Sequence, residues 1–317
     1  MSVTGMWVEK YRPTQLSEIV NQAEIIGSLK ALIKDPTDMP HLLFSGSAGV
    51  GKTTTALCLS RQILGSNYNL NSILELNASD ERGIGMVREK VKKFSKWSGF
   101  AEIPFKIIIL DEADEMTSDA QTALRRIIED AAKICRFILI ANNVSKIIQP
   151  IQSRCAAFKF TSVSEEDVIS RLEEIAKKEK VKVDKKGLEA IYEYTEGDLR
   201  HAINLMQAAA SLGGITEENV KTSAGLTKTS DVDEVLKIAL SGKVTKAREK
   251  MIELIKVYGM SESDFLKYLN SAVFKSKHDK LSDILQIIAK YDYRILVGAN
   301  SEIQLSAMLA ELAKLEN

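Results

Sequence analysis

The sequence predicts an α/β fold with a mostly parallel, five-stranded sheet in the first half of the chain, followed by regions that consist only of helices. Up to about residue 160, five short apolar runs alternate with helical stretches, which is the pattern of parallel strands joined by right-handed crossovers. After Ser162 the apolar residues recur at helical spacing and no further strand run follows. At 317 residues the chain is long enough for about two or three domains.

Polar residues follow three of the five predicted strands, at the point where each strand ends. Asn77 follows the second strand, and Asp111 and Glu112 follow the third. Asn142 and Asn143 follow the fourth. Ligands of parallel sheets bind at the carboxyl ends of the strands, so these residues predict one binding site. The predicted strands cover residues 41–45, 73–76, 106–110, 136–141 and 156–160.

A glycine-rich segment connects the first predicted strand to a helix expected at residues 54–64. The pattern Gly-x-x-x-x-Gly-Lys-Thr between a strand and a helix is typical of a P-loop, whose backbone N–H groups face the phosphates of a nucleotide. Lys52 is then expected to reach the terminal phosphates, and Thr53 to offer its hydroxyl to Mg²⁺. A simple glycine-rich turn is the alternative. The residues predicted to surround the phosphates are Gly46, Ser47, Ala48, Gly49, Val50, Gly51, Lys52, Thr53 and Thr54.

The third predicted strand ends in two carboxylates. Asp111 follows four aliphatic residues, which is the Walker B arrangement in which a carboxylate holds Mg²⁺. The adjacent Glu112 can polarise an attacking water, and Asn142 could orient the same water from the neighbouring strand. The alternatives are a solvated acidic loop for the carboxylates and a turn-forming role for Asn142.

Charge and cysteine content exclude several classes of protein. The chain has 43 basic and 43 acidic residues, so any surface that binds nucleic acid must be local. The three cysteines and three histidines lack paired or ligand spacing, which argues against disulfides, a zinc site and metal-binding histidines. No stretch reaches the roughly 18 apolar residues of a membrane span, and the first residues lack a signal-peptide pattern. We therefore expect a soluble, intracellular protein that does not act at a membrane.

A local basic surface is predicted in the segment 84–96. Its apolar residues recur at spacings of three, four and three, which predicts the buried face of a helix: Ile84, Val87, Val91 and Phe94. Its basic residues recur every fourth position on another face: Arg88, Lys92 and Lys96. An ordinary solvated helix surface is the alternative.

The segments on either side of the predicted sheet carry open alternatives. Pro13 predicts an extended arm over residues 7–22, whose aromatic and apolar residues form either a core edge or a wall of an adenine pocket. Arg200 falls in the first turn of a helix at 198–211, where the helix dipole disfavours a cation and an anionic partner would be favourable. An isolated surface arginine is the other interpretation.

The remaining helices are predicted from capping and periodicity. Ser164 and Asp167 resemble a capping box that opens a helix through about Lys178, and a helix at 185–194 follows. Amphipathic segments are then predicted at 231–241, 243–257, 261–275, 279–298 and 301–316, forming an all-α unit. A leucine stripe in the last segment is either internal core or a subunit interface: Leu305, Leu309, Leu312 and Leu315.

Several separated strings together resemble one family. They lie at residues 7–13, 46–53, 76–83, 109–114, 120–126, 153–155 and 197–200. In these strings the sequence is similar to the small subunit of replication factor C, the archaeal and eukaryotic sliding-clamp loader of the AAA+ class. Beyond residue 230 the likeness is only in length and helical character. One departure is Gly46-Ser47-Ala48, where the family usually has one or two prolines, which should loosen the loop without removing a phosphate-facing group.

The resemblance implies an AAA+ domain at 1–162, a helical lid at 163–228 and a helical collar at 229–317. It implies that Asn142 is sensor 1 and Arg200 is sensor 2. It further implies that Arg154 is an arginine finger that enters the ATP site of a neighbouring subunit. The residues that the resemblance assigns to the adenine pocket are Val8, Tyr11 and Arg12.

The resemblance also implies partners and a working cycle. ATP with Mg²⁺ would assemble a hetero-oligomer, expected to be a pentamer, from a large subunit and further small subunits. The assembly would load a sliding clamp onto primer-template DNA, which stimulates ATP hydrolysis. Trp97 and Phe100 are candidate clamp contacts, with core packing as the alternative. The expected location is the cytoplasm, beside the nucleoid, in an archaeon or the nucleus in a eukaryote. The residues expected to contact DNA phosphates are Arg82, Arg88, Lys92 and Arg125.

Two other functions remain as alternatives. Residues 111–114 spell the box of one helicase family, so a DNA translocase or helicase motor is the second interpretation. Such a helicase needs a second motor domain, and a Holliday-junction motor of the AAA+ class would end in a basic winged helix, whereas residues 163–317 predict neither. A non-catalytic adaptor would not need Lys52, Asp111, Glu112 and Arg154 together.

Overall fold

The computed structural model describes residues 5–69, 71–80, 83–96, 105–224, 229–257, 260–276 and 280–316. The chain divides into two compact units, Met1–Thr216 and Glu217–Asn317. The boundaries of the three predicted domains stay predictions.

A five-stranded, fully parallel sheet forms the centre of the first unit, as predicted. The strands are β1 His41–Ser45, β2 Ile73–Asn77, β3 Lys106–Asp111, β4 Cys135–Ala141 and β5 Cys155–Lys159. Their order in the sheet is β2-β3-β4-β1-β5. From β1 the chain passes to β2 at one edge and returns through β3 to β4, next to β1, before β5 forms the opposite edge. Because the order of connection reverses between β4 and β1, the carboxyl ends of these two strands flank a crevice.

Both faces of the sheet are buried, because alternate residues of each central strand enter two different cores. Leu43, Ile108 and Leu139 pack in one core, while Phe44 and Ile109 pack in the other. This explains why the strands appear in the sequence as continuous apolar runs. The helices of the sheet region are α1 Trp7–Lys10, α2 Ala23–Lys34, α3 Lys52–Leu64, α4 Ile84–Met86, α5 Lys92–Lys96, α6 Ser118–Ala131 and α7 Gln149–Gln152.

The predicted single helix at 84–96 is wrong in one respect. A π-helical segment, Val87–Val91, interrupts it between α4 and α5. Val87 and Val91 are buried as predicted. A π-turn contains more residues than an α-turn, so the four-residue spacing of the basic residues no longer places them in one straight row.

The prediction of an extended N-terminal arm is also only partly correct. Trp7 opens the short helix α1 and is buried, and a 3₁₀ turn follows at Leu16–Glu18. Pro13 restricts mainly the residue before it, so it does not prevent a helix that ends at Lys10.

Three further helices complete the first unit: α8 Glu165–Glu179, α9 Lys185–Thr195 and α10 Leu199–Ser211. The Ser164 side chain accepts a hydrogen bond from the Asp167 N–H at 3.3 Å, which confirms the predicted N-cap. An isolated parallel bridge pairs Val183 with Ile215 and was not predicted.

In the described residues of the second unit, every secondary-structure element is a helix. The last helix buries Leu305, Leu309 and Leu312, so its leucine stripe is core rather than exposed surface. Helix α11 was not predicted, and the predicted segment 243–257 consists of α13 and a π-helical segment at Glu253–Val257. The helices are α11 Glu217–Ser223, α12 Thr229–Leu240, α13 Val244–Ile252, α14 Glu262–Ser276, α15 Leu281–Leu296 and α16 Ser301–Leu312.

Within the described part of the chain, no helix combines the length and the apolar character needed to cross a membrane.

Candidate functional site

The glycine-rich loop after β1 has the backbone shape that its sequence predicts. Gly46, Gly49 and Gly51 have φ values of +146°, +71° and +94°, which side-chain-bearing residues rarely adopt. A Cβ at Gly46 would also lie 2.5 Å from the carbonyl oxygen of Phe160. Gly51 is the N-cap of α3, so the loop leads into the N-terminus of a helix whose first N–H groups lack helical partners. This geometry suits phosphate binding.

Lys52 is buried at the base of this loop, with 7% of its surface exposed. Its Nζ donates hydrogen bonds to the carbonyl oxygens of Gly46 at 2.7 Å and Ser47 at 2.6 Å, and to Asn142 Oδ1 at 2.9 Å. Burial lowers the pKa of Lys52, and the nearby carboxylates of Asp111 and Asp114 oppose that shift. The contact with Asn142 unites the ends of β1 and β4, as the sequence predicted.

Thr53 and Asp111 form the candidate magnesium site. The Thr53 hydroxyl donates a hydrogen bond to Asp111 Oδ2 at 2.6 Å. Adjacent oxygen ligands of an octahedral Mg²⁺ lie about 2.9 Å apart, so these two oxygens can hold one ion with little movement. A hydroxyl and a carboxylate beside a phosphate-binding loop form a donor set that fits Mg²⁺.

Glu112 stands in the left-handed backbone region, with φ of +52° and its N–H bonded to Asp111 Oδ1 at 2.9 Å. A glutamate is uncommon in that conformation. Its side chain and those of Asp111 and Asn142 line the same cleft as the P-loop. The turn therefore brings the candidate base to the edge of the candidate nucleotide site.

The N-terminal arm and the helices after the sheet close the other side of the cleft. Val8, Tyr11 and Arg12 line it, which favours the adenine-pocket interpretation over a core edge. The Tyr11 hydroxyl donates to Glu179 Oε1 at 2.6 Å, and the Tyr11 carbonyl accepts from Arg171 at 2.8 Å. Both partners lie on α8, so the arm is fastened to this helix rather than only to the sheet.

Arg200 is exposed in the first turn of α10 and lines the cleft, as its predicted role requires. Asp198, two residues before Arg200, caps α10 by accepting the His201 N–H at 2.9 Å. A Cβ at Gly49 would lie 1.7 Å from Asp198 Oδ1. The cap of α10 therefore packs directly on the P-loop.

Of the predicted phosphate-loop residues, those from Ala48 to Thr54 line the cleft. Gly46 and Ser47 do not, and their carbonyls instead hold Lys52.

Sequence reasoning missed several residues that organise the site. Gln121 is 3% exposed, donates to the carbonyl of Lys146 at 3.0 Å and accepts the Ile148 N–H at 2.9 Å. An amide on the apolar face of amphipathic α6 was a signal that could have identified it. Local patterns do not reveal the contacts through which the other missed residues organise the site, since those contacts join residues distant in sequence: Asp114 with Asn142 and Asn143, Glu129 with Arg154, Arg171 with Tyr11, and Asp198 with Gly49.

Comparison with known proteins identifies the family. A model of the AAA family, the ATPase family associated with various cellular activities, matches residues 42–163. An RCF1/5-like AAA+ ATPase lid domain matches 170–211, and the replication factor C C-terminal domain matches 228–311. The replication factor C small subunit of Staphylothermus marinus is 50% identical over 313 residues, covering 97% of this chain and 94% of the relative. The chain belongs to the replication factor C small-subunit family.

A second small subunit, from Sulfolobus acidocaldarius, is 50% identical over 312 residues and covers 97% of this chain and 95% of its own length. Among solved structures, the Holliday junction branch migration motor RuvB of Thermotoga maritima has a TM-score of 0.57 at 16% identity, covering 82% of this chain and 85% of that one. The structural likeness shows the AAA+ fold alone.

Arg154, the arginine finger expected in this family, does not line the cleft of its own chain. Arg154 instead pairs with Glu129 on α6 at 2.5 Å and donates to the carbonyl of Pro150 at 2.7 Å. Glu129 also pairs with Arg125 at 3.1 Å. The hydrogen bond from Arg125 and the charge of Arg154 lower the pKa of Glu129.

The predicted contacts to DNA and to the clamp are only partly within the described residues. Lys92 is exposed at the start of α5, and Arg125 is half-exposed on α6. The positions that lie outside the described residues are Arg82, Trp97, Phe100 and the side chain of Arg88.

Proposed function

We propose that this chain is the ATP-hydrolysing small subunit of a clamp loader, which uses ATP to load a sliding clamp onto primer-template DNA. The observation that carries the proposal is the cleft in which Lys52, Thr53, Asp111, Glu112 and Asn142 meet. A non-catalytic adaptor would need the family fold but would not need this set of groups. Membership of the replication factor C small-subunit family supplies the clamp-loading role.

The cleft supports a mechanism for hydrolysis. The P-loop N–H groups and Lys52 would hold the phosphates, and Thr53 and Asp111 would hold Mg²⁺. The bound ion supplies positive charge beside the phosphate oxygens. Glu112 accepts a proton from a water molecule as the water oxygen attacks the γ-phosphorus. The bond between the γ-phosphorus and the β–γ bridging oxygen breaks, which gives ADP and phosphate. Asn142 orients the reacting groups from the end of β4.

The adenine and the outer phosphates of ATP would be bound by the N-terminal arm and the helices after the sheet. Val8, Tyr11 and Arg12 would wall the adenine, and Arg200 would approach the phosphates from α10. Because the arm bonds to α8 through Tyr11, we expect the adenine pocket to move with that helix.

Hydrolysis would depend on assembly, because Arg154 lies away from its own cleft and would have to exchange its pairing with Glu129 for a neighbouring subunit's site. Head-to-tail contacts of this kind build rings or open spirals. The proposed assembly is a hetero-oligomer, expected to be a pentamer, of a large subunit and further small subunits. It would act where the DNA is, in an archaeal cytoplasm or a eukaryotic nucleus.

Two substitutions test the motor. Lys52→Ala should abolish ATP binding, because it removes the buried cation that faces the phosphates. Glu112→Gln should bind ATP but not hydrolyse it, because an amide cannot take the proton. Nucleotide affinity and single-turnover hydrolysis are measured for both in the assembled complex, with retention of the clamp on primed circular DNA as the functional readout. Normal turnover in Glu112→Gln would remove this residue as the base.

We propose that basic side chains of the subunit contact DNA phosphates and do not recognise individual bases. Identical basic surfaces from successive subunits would line one channel, and Lys92 and Arg125 are its described members. In the assembled loader, Lys92→Ala/Arg125→Ala should lower the slope of log affinity against log salt by about 1.8 for duplex DNA, or about 0.9 for each lost contact. The control is Lys30→Ala/Lys34→Ala on α2, which removes two exposed lysines elsewhere. A wild-type slope in the first variant would mean that these residues are ordinary solvated surface.

A further inference from the structure

A buried carboxylate beside the cleft has no role in the mechanism described so far. Asp114 lies in the 3₁₀ turn Ala113–Glu115 that directly follows Glu112, and 7% of its surface is exposed. Its Oδ1 accepts the Asn142 N–H at 3.1 Å, and its Oδ2 accepts the Asn143 N–H at 2.9 Å. Each carboxylate oxygen thus accepts a hydrogen bond from one of two consecutive backbone N–H groups in another segment.

Those two N–H groups lie just beyond the end of the sheet. The pairing of β4 with β1 ends at Ala141 and Ser45, so Asn142 and Asn143 have no strand partner on that side. A buried N–H left without an acceptor destabilises the fold, and hydrogen bonds to a charged acceptor are stronger than neutral ones. Asp114 therefore determines the direction in which the chain leaves β4.

The direction of the chain at Asn142 determines where its side chain can reach. With the backbone held by Asp114, Asn142 Oδ1 accepts a hydrogen bond from Lys52 Nζ at 2.9 Å. The same turn carries Glu112, whose carbonyl accepts the Glu115 N–H at 2.8 Å. One short turn thus holds the candidate base and, through Asp114, the backbone of the candidate sensor.

We propose that Asp114 is a positioning residue for ATP hydrolysis: its carboxylate fixes the Asn142–Asn143 backbone so that Asn142 and Glu112 keep one relative arrangement around the reacting γ-phosphate. The inference rests on the proposed hydrolysis at this cleft. Glu115, the next residue, provides a contrast. Its ion pair with Lys146 at 3.0 Å joins the same two segments, but the two side chains are 33% and 52% exposed, and ion pairs near the surface contribute little.

The test is Asp114→Asn, which keeps the shape of the side chain. The amide retains one acceptor oxygen, while its NH₂ group faces an N–H donor, so one of the two bonds is lost. We expect kcat of the assembled protein to fall by about 10- to 100-fold, with ATP affinity within about threefold of wild type. Glu115→Gln is the matched control and should keep wild-type kcat.

A double-mutant cycle separates positioning from a general effect on folding. If Asp114 acts through Asn142, then Asp114→Asn should reduce kcat in the wild-type background but cause little further loss in an Asn142→Ala background. A merely structural role would lower kcat by the same factor in both. Hydrogen exchange of the nucleotide-free protein supplies a readout independent of activity, in which the amides of residues 142 and 143 should exchange faster in Asp114→Asn while those of 139 and 140 keep wild-type rates.

Three outcomes would overturn the proposal: a wild-type kcat in Asp114→Asn, equal losses in both backgrounds of the cycle, or loss of ATP binding with the loss of activity. Each can occur while Glu112→Gln remains inactive, so the proposed function would survive them. Conversely, full activity in Glu112→Gln would refute the assigned base without changing the exchange result.

Discussion

At the residue scale, the P-loop shows that one glycine can meet two independent requirements. The sequence explains Gly49 through the backbone bend of a phosphate-binding loop. The structure adds that Asp198, the cap of α10, occupies the space where a side chain at Gly49 would begin. Position 49 is therefore restricted to glycine both by the backbone conformation of the loop and by the close approach of the α10 cap.

We predict that Gly49→Ala destabilises the first unit by about 2 kcal/mol or more. Alanine is disfavoured by about 1–2 kcal/mol at the φ of +71°, and its Cβ would lie 1.7 Å from Asp198 Oδ1. ATP affinity should fall as well, because the cap of α10 must move. Chemical denaturation and nucleotide titration measure both effects.

The matched control is Gly27→Ala on α2, where an added Cβ meets nothing within 4 Å. An exposed glycine inside a helix weakens it, so this change should stabilise the protein by about 0.5–1 kcal/mol. Equal effects of the two substitutions would contradict the packing of Asp198 on the loop.

At the element scale, the π-helical segment Val87–Val91 alters a prediction that depended on regular periodicity. Val87 and Val91 are buried in the core and Phe94 packs against it, whereas Ile84 is only partly buried. The π-helical turn shifts the backbone positions of the basic residues, so they no longer follow the predicted four-residue row.

The first strand contains a second feature of element scale, a buried histidine at its start. His41 is 8% exposed, and its Nδ1 accepts the N–H of Phe137 on β4 at 3.1 Å. Only neutral imidazole can accept at that nitrogen. Burial, with a smaller contribution from the charge of Arg136, lowers the pKa of His41 to about 4.

We predict that His41 makes the first unit less stable as the pH falls from about 6.5 to about 4. Over that range the unfolded chain binds a proton at His41 and the folded chain does not, so acid favours unfolding. The loss should reach about 3 kcal/mol at the lower end, at 1.36 kcal/mol per pKa unit. His41→Asn keeps an acceptor for the Phe137 N–H and does not titrate. The free energy of unfolding of this variant should depend less steeply on pH, and parallel pH profiles would contradict the assignment.

At the scale of the whole molecule, Arg154 is held at a distance from the cleft that its own chain forms. Glu129 and the Pro150 carbonyl bind its guanidinium. Glu129 is 39% exposed, so this pairing is weak enough for a stronger acceptor to replace it. Developing charge on a γ-phosphate of a neighbouring subunit would be such an acceptor.

We predict that Arg154→Ala leaves ATP affinity unchanged but lowers assembly-dependent hydrolysis, by about 10³-fold or more at the sites that receive this residue. In mixed assemblies, a variant subunit should hydrolyse its own ATP when its neighbour supplies an intact Arg154. Lys133→Ala removes an exposed cation elsewhere on the surface and should have no effect. Equal loss of hydrolysis in isolated chains and in assemblies would show that Arg154 acts within its own subunit.

The sequence by itself determined the features that depend on neighbouring residues. Short apolar runs predicted all five strands, and the runs are clearest in the three central strands because both of their faces are buried. The spacing from Gly46 to Thr53 predicted the P-loop, because consecutive backbone groups form it. The Ser164 cap was predicted because its partner is three residues away.

Only the tertiary structure decided which distant side chains complete the site. Asp114 bonds to backbone 28 and 29 residues further along the chain, and Tyr11 bonds to Glu179 across 168 residues. Asp198 reaches Gly49 from a helix beyond the sheet. Periodicity and spacing carry no information about such pairs, since an acidic residue that binds a distant N–H has the same local sequence as one in solvent. Packing of the sheet, the turn after β3 and the following helices brings these groups within hydrogen-bond distance.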